Sequence, residues 1–292
     1  MKGIETAGKI IGATLGISYL LFFEGNEMFQ WICFATILIS IGIPHGAIDH
    51  LLLNPVVGRK NLIRFIFKYL LIIAVYLAIW LIFPILALAA FLIMSAYHFG
   101  QSHFLKTPLN KFSSLTYISL GSFILSTILW GDFNYTQSIL ANIIDVRGLP
   151  QYGIFVIAFF WGLSATLIGV NFGEKGLILV LEISLLGLLL YQLPLLLGFI
   201  IYFGFWHSLP SMTEEFDALK DYLENQKLKN FIKKLLPFTS MSLIGIALIL
   251  LFFHQMMEFD QLTLLFFILV SLISAPHIWY MNLFLEARKN QY

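Results

Sequence analysis

Apolar residues run through this chain in blocks of roughly twenty, the length a helix needs to cross the hydrocarbon core of a bilayer. Ten such blocks are predicted, roughly 9–23, 29–53, 62–83, 84–105, 112–130, 151–170, 176–191, 194–211, 236–255 and 261–285. The first and seventh are short, so whether 9–23 and 176–191 cross fully stays open. Pro84 and Pro194 fall between consecutive blocks, where proline suits a helix start but not a helix interior. Residues 131–150 read as an outer loop with a short interfacial helix around Gln137–Asp145. Residues 212–235 form the largest inner piece. There Leu219, Leu223, Phe231 and Leu235 alternate with Glu215, Lys220, Lys227 and Lys234, the pattern of an amphipathic helix lying on the inner leaflet or equally of a solvated connector. The expected fold class is all-α, a polytopic integral membrane helical bundle of about ten transmembrane helices. It forms a single membrane-embedded domain over residues 1–292.

Composition sharpens this picture. The 292 residues are 59% hydrophobic and 11% charged, with a mean hydropathy of +0.88, whereas a soluble domain is about a quarter charged. A net charge of +1 provides no basic field for nucleic acid. The single Cys33 cannot form an internal disulfide. The first block follows Lys2 and Lys9 and has no small-residue cleavage site before Glu24, so it reads as a retained helix rather than a signal peptide. Alternating ten spans from a cytoplasmic N-terminus leaves 16 of the 17 Lys and Arg inside and only Arg147 outside. That asymmetry supports an N-in, C-in orientation.

Six of the seven histidines recur in small motifs inside apolar blocks: Pro44-His45-Gly46-Ala47-Ile48-Asp49-His50, Tyr97-His98-Phe99-Gly100-Gln101-Ser102-His103, Trp206-His207-Ser208 and Pro276-His277. Ionisable groups at membrane depth are costly and read as functional. In the ten-span scheme His45, His98, His207 and His277 sit on four helices of the same direction, roughly 6–12 Å from the inner ends at about 1.5 Å per residue. Neutral imidazole suits iron, copper or zinc, and these motifs hold no thiolate. The alternative is interhelical hydrogen bonding. His45 and Asp49, four apart, are expected on one helix face, with Asp49 taking the ring N–H of a liganding histidine or pairing with Arg59 or Arg64. His45 and His50, like His98 and His103, are five apart, about 140° round a regular helix. His50 and His103 are therefore placed behind His45 and His98, the opposite choice staying open. Gly46 and Gly100 permit close helix approach. Phe99, Tyr97, Trp206 and Trp279 are candidates for an apolar substrate pocket. His254 falls at the outer end of a block and Glu182 reads as a protonated structural residue; neither is given a role.

Pro-His-Gly-Ala-x-Asp, then His-Phe-Gly, then His-Ser, then Pro-His near the C-terminus, in that order from about residue 40 to 285, resembles the Brp/Blh family of bacterial and archaeal β-carotene 15,15′-dioxygenases. The resemblance implies an integral membrane enzyme with non-haem Fe(II). Such an enzyme splits the central double bond of β-carotene with O₂ into two molecules of all-trans retinal for a microbial rhodopsin. It belongs in the cell's inner (cytoplasmic) membrane as a multi-pass protein. By motif its histidine ligands carry over to His45, His98 and His207. Many members have a further histidine one turn after the last of these, where this chain has Ser211. His277 is the first candidate to complete the set, ahead of His103 and His50. Three rivals remain: a di-iron carotenoid or lipid hydroxylase or desaturase, against which stands the lack of any His-His pair; a bis-histidine membrane cytochrome, which would show a haem absorbance; and a membrane transporter or interaction protein using histidines as a proton relay or in packing.

Overall fold

The computed structural model describes residues 2–289, which form helices and connecting turns with no strand among them. The α-helices are α1 (Lys2–Phe22), α2 (Glu27–Ile37), α3 (Asp49–Leu52), α4 (Arg59–Ile82), α5 (Pro84–Ser102), α6 (Ser113–Gly131), α7 (Phe133–Leu140), α8 (Gly153–Phe172), α9 (Leu177–Gln192), α10 (Leu195–Tyr202), α11 (Leu209–Leu219), α12 (Lys227–Phe253) and α13 (Phe259–Lys289). Eight helical stretches among the described residues are long and apolar enough to cross a membrane. The protein is thus an all-α, polytopic membrane protein. The predicted blocks 151–170 and 176–191 fall within one 43-residue stretch, Pro150–Gln192, joined by the 3-10 turn Gly173–Gly176. The first block, α1, is not among the eight; its first half carries Lys2, Glu5 and Lys9.

Local chemistry explains the boundaries. Pro84 opens α5 and Pro194 caps α10, as expected of a residue without an N–H. Asn26 caps α2 by accepting from the Phe29 amide at 2.9 Å. Asp132 caps α7 by accepting from the Tyr135 amide at 3.3 Å and takes the Leu195 amide at 3.2 Å. That cap starts the loop helix at Phe133, several residues before the predicted Gln137. In the same loop Arg147 is bonded to Asp145, whose carboxyl those side-chain hydrogen bonds lower to about 2. The lone basic residue on the expected outer side is therefore locally neutralised.

Two predicted helices are not continuous. The block 29–53 becomes α2, a π-helical turn Leu38–Gly42, a 3-10 turn Pro44–Gly46 and the short α3. The block 194–211 becomes α10, a π-helical turn Phe203–Ser208 and α11, which runs on to Leu219. Consequently 212–235 is not one amphipathic surface helix. Its first part completes α11, with Glu215 wholly buried, and its last part opens α12. Pro237 and Pro276 lie inside α12 and α13, which membrane helices tolerate when neighbours satisfy the released carbonyls.

The chain divides into two compact units. One contains the stretch ending at Gly42 together with Leu92–Pro210; the other contains Ile43–Phe91 and the stretch beginning at Ser211. In the first, α6 packs against α8 and α9, and α10 packs against α1, α2 and α6. Gly100 of α5 abuts the backbone of Tyr117, and Gly121 of α6 abuts the backbone of Ala96. Small residues let two helix backbones touch, the usual route to tight packing where no water drives association. In the second unit α13 packs against α3, α4 and α12. Trp80 donates to Ser271 Oγ at 3.0 Å and Tyr69 to the Ile273 carbonyl at 3.2 Å, so polar tips on α4 are satisfied by α13.

Gly121→Ala puts a methyl group into backbone, so it should lower the thermal stability of the solubilised protein by about 1–3 kcal/mol. Gly162→Ala, with open space around its Cβ position, should be neutral or slightly stabilising. Equal melting of the two variants would contradict this packing.

Candidate functional site

In the first unit His98 lies on α5 and His207 on the π-helical turn Phe203–Ser208. Their rings meet edge to face, with centroids 4.6 Å apart and planes at 75°. They are 4% and 1% exposed. Phe99 lies 4.8 Å from the His207 ring, and Phe203 stacks on it at 5.5 Å and 22°. Apolar rings therefore enclose this imidazole and exclude water from it. The Tyr202 hydroxyl donates to the Phe99 carbonyl at 3.3 Å and lies 3.2 Å from His103 Nε2. His103 is thus engaged with Tyr202 just beyond the end of α5.

In the second unit His45, on the turn Pro44–Gly46, meets His277 of α13 edge to face, with centroids 4.8 Å apart and planes at 86°. They are 5% and 4% exposed. His277 Nδ1 lies 2.9 and 3.1 Å from the two oxygens of Asp49. A carboxylate only accepts, so a neutral His277 facing an ionised Asp49 donates from Nδ1–H and keeps its lone pair on Nε2. This corrects the expected pairing of Asp49 with His45, Arg59 or Arg64. The i,i+4 argument assumed a regular helix, and residues 43–49 do not form one. A Cβ on Gly46 would sit 3.1 Å from His277 Nδ1, so glycine makes room for the ring that Asp49 holds.

The other candidates distribute unevenly. His50 packs against Phe238 and Phe65, at 4.9 and 5.9 Å between centroids. Ser211 is fully buried. Tyr97 stands edge-on to Tyr117 at 5.5 Å, and Phe99 and Trp206 are buried. Trp279 is 62% exposed and so lines no interior pocket. It is two residues from buried His277, about 200° round α13. His254 caps α12 at its exposed end. Glu182 is not an isolated structural acid: its Oε1 accepts from Lys9 Nζ at 2.6 Å and Trp206 Nε1 at 3.0 Å. Sequence reasoning passed over Glu215, whose carboxylate is wholly buried with neither oxygen hydrogen bonded among the described residues. Its spacing of four from Ser211 was a readable sign of a shared helix face.

Each of His45, His98 and His207 is buried and offers one imidazole nitrogen as a ligand atom. Fold and side chains together define a multi-pass helical membrane protein with an imidazole-rich interior. The family model described as "Beta-carotene 15,15′-dioxygenase" matches residues 36–285. The chain belongs to that family. A curated relative, the beta-carotene 15,15′-dioxygenase of uncultured marine bacterium 66A03, is 31% identical over 88 residues, 29% of this chain and 32% of that protein. The matched region thus spans about a third of that relative's length. No solved structure matches.

Asp49→Leu should destabilise the protein by about 1–3 kcal/mol, because it strands the buried His277 N–H without an acceptor. Asp49→Asn, which keeps an acceptor oxygen, should lose less. Thermal unfolding of the two variants in detergent checks the order.

Proposed function

We propose that this chain splits the central 15,15′ double bond of β-carotene with O₂ to give two molecules of all-trans retinal. The proposed centre is a single non-haem Fe(II) ion held by His45, His98, His207 and His277. One observation carries the reading: the family match over residues 36–285 includes all four histidine motifs. The donor chemistry agrees. All four imidazoles are buried and edge-to-face in pairs, and neutral imidazole is a ligand for divalent iron. Asp49 would orient His277 so that Nε2 faces the ion, a liganding histidine commonly donating its other ring N–H to a carboxylate.

The reaction breaks one C=C bond and forms two C=O bonds, each carbon keeping one atom of O₂. No proton has to be moved on or off the polyene, which fits a site lined by aromatic rings. Bound iron would supply O₂ activation. The protein's own part is to hold the ligands, exclude water and fix the double bond in place. Phe99 and Phe203 would keep water from His207, and Tyr97, Phe99 and Trp206 are proposed to line the substrate path. β-Carotene partitions into hydrocarbon, so an entrance between helices would serve it. His277 is preferred as the fourth ligand over His103 and His50, because Asp49 already holds it in the manner of a ligand. N-in, C-in orientation in the inner membrane, and delivery of retinal to a microbial rhodopsin, complete the proposal.

Expression in β-carotene-producing bacteria should yield retinal as carotene fades, read by chromatography of the extract. His45→Ala, His98→Ala, His207→Ala and His277→Ala should each insert normally and yield none. Retained retinal in any of them removes that residue from the ligand set. Hydroxylated or desaturated carotenoids in place of retinal would move the reading to a di-iron hydroxylase or desaturase. Unchanged carotene in well-inserted, iron-supplied protein would favour a transporter.

A further inference from the structure

The family match begins at residue 36, yet α1, which precedes it, is packed directly on the turn that carries His207. Gly8, Gly12 and Gly16 recur every four residues and so share one face of α1. A Cβ on Gly12 would lie 2.7 Å from Phe205 and 2.9 Å from Trp206; one on Gly16 would lie 3.1 Å from Leu189. Gly8 abuts Leu209. Lys9, on the same helix, reaches Glu182 of α9 at 2.6 Å, and the same carboxylate oxygen takes the Trp206 indole N–H at 3.0 Å. Trp206 is the residue before His207.

A π-helical turn carries one more residue than an α-turn. Relaxation of Phe203–Ser208 to α geometry would therefore rotate the side chains beyond the lost residue by about 100°. The direction of His207 depends on what keeps that extra residue in place. On one side Gly204 of the turn lies against Ile37; on the other, Trp206 is tied through Glu182 to α1 and α9.

We propose that Lys9 and Glu182 are positioning residues: by holding the Trp206 indole they keep the π-helical turn, and hence His207, in the direction that binding of a metal ion requires. This rests on the reading of His207 as a metal ligand. It makes α1 part of the machinery, although it lies outside the matched segment.

The test uses the full-length protein in lipid nanodiscs, titrated with Co²⁺ and read by its visible absorption, alongside thermal unfolding and β-carotene turnover. Glu182→Leu and Trp206→Phe should each weaken Co²⁺ binding by about 10–100-fold, as loss of a supporting contact typically does, and alter the Co²⁺ spectrum. The double variant should be no worse than the stronger single one, because both break the same link. Glu182→Gln, which keeps an oxygen for the indole, should restore the wild-type spectrum. Lys9→Met should shift the spectrum in the same direction as Glu182→Leu, and Lys9→Arg should restore it. Wild-type Co²⁺ affinity and spectrum in Glu182→Leu and Trp206→Phe, with only their melting lowered, would reduce the network to a structural role and overturn the inference. Absence of saturable Co²⁺ binding by the wild type, or binding unaffected by His98→Ala, would instead remove the metal reading beneath it.

Discussion

Hydrocarbon offers a buried N–H, carboxylate or ammonium group no partner, so in a membrane such a group is costly unless the protein itself supplies one. In this protein that constraint organises the interior. Asp49 and His277 satisfy one another across 228 residues of sequence. Lys9, Glu182 and Trp206 do so across α1, α9 and the π-helical turn. Tyr202 bridges the end of α5 to His103, and Trp80 and Tyr69 hand their polar tips to α13. Each contact joins segments distant in sequence, so the groups too polar for lipid are also those that fix which helices lie together.

The same constraint accounts for the irregular backbone. His45 and His207, two of the proposed ligands, are on a 3-10 turn and a π-helical turn rather than on regular helix. Departures of this kind are common at functional sites because they aim side chains that a straight helix would point elsewhere. They also expose backbone groups, which a membrane tolerates only where neighbouring protein covers them. Both turns are covered: their histidines are nearly inaccessible, and glycines at 46, 204 and 12 admit the rings and side chains that close over them.

The proposed site would suit a substrate as apolar as the membrane around it. Specificity for a polyene can come from shape and aromatic surface, and little polar recognition is needed. Ser211 stands one turn after His207, and in the proposed ligand set it is His277 that completes the four imidazoles. Asp49 already orients that residue, and Gly46 leaves room for its ring.

The apolar blocks, the prolines that separate them and the four histidine motifs were legible in the sequence, because hydropathy and helix-start chemistry act over a few neighbouring residues. They determined an all-helical membrane protein and the residues most worth attention. Three things were not legible. The breaks at Leu38–Gly42 and Phe203–Ser208 lie inside apolar blocks of spanning length; Gly42, Pro44, Gly204 and Pro210 sit at or beside them, but membrane helices accept glycine and proline, so these residues do not by themselves mark a π-helical turn. The partner of Asp49 is His277 rather than His45, since the assumed four-residue helical spacing does not exist there. Glu182, within an apolar block, and Glu215, on the polar side of an amphipathic piece, gave no sign that the first is doubly bonded by Lys9 and Trp206 and that the second is wholly buried and meets no hydrogen-bond donor among the described residues. Those distinctions belong to the tertiary structure, because the choice of partner for a buried polar group depends on which distant helix packs beside it, and no short-range pattern encodes that.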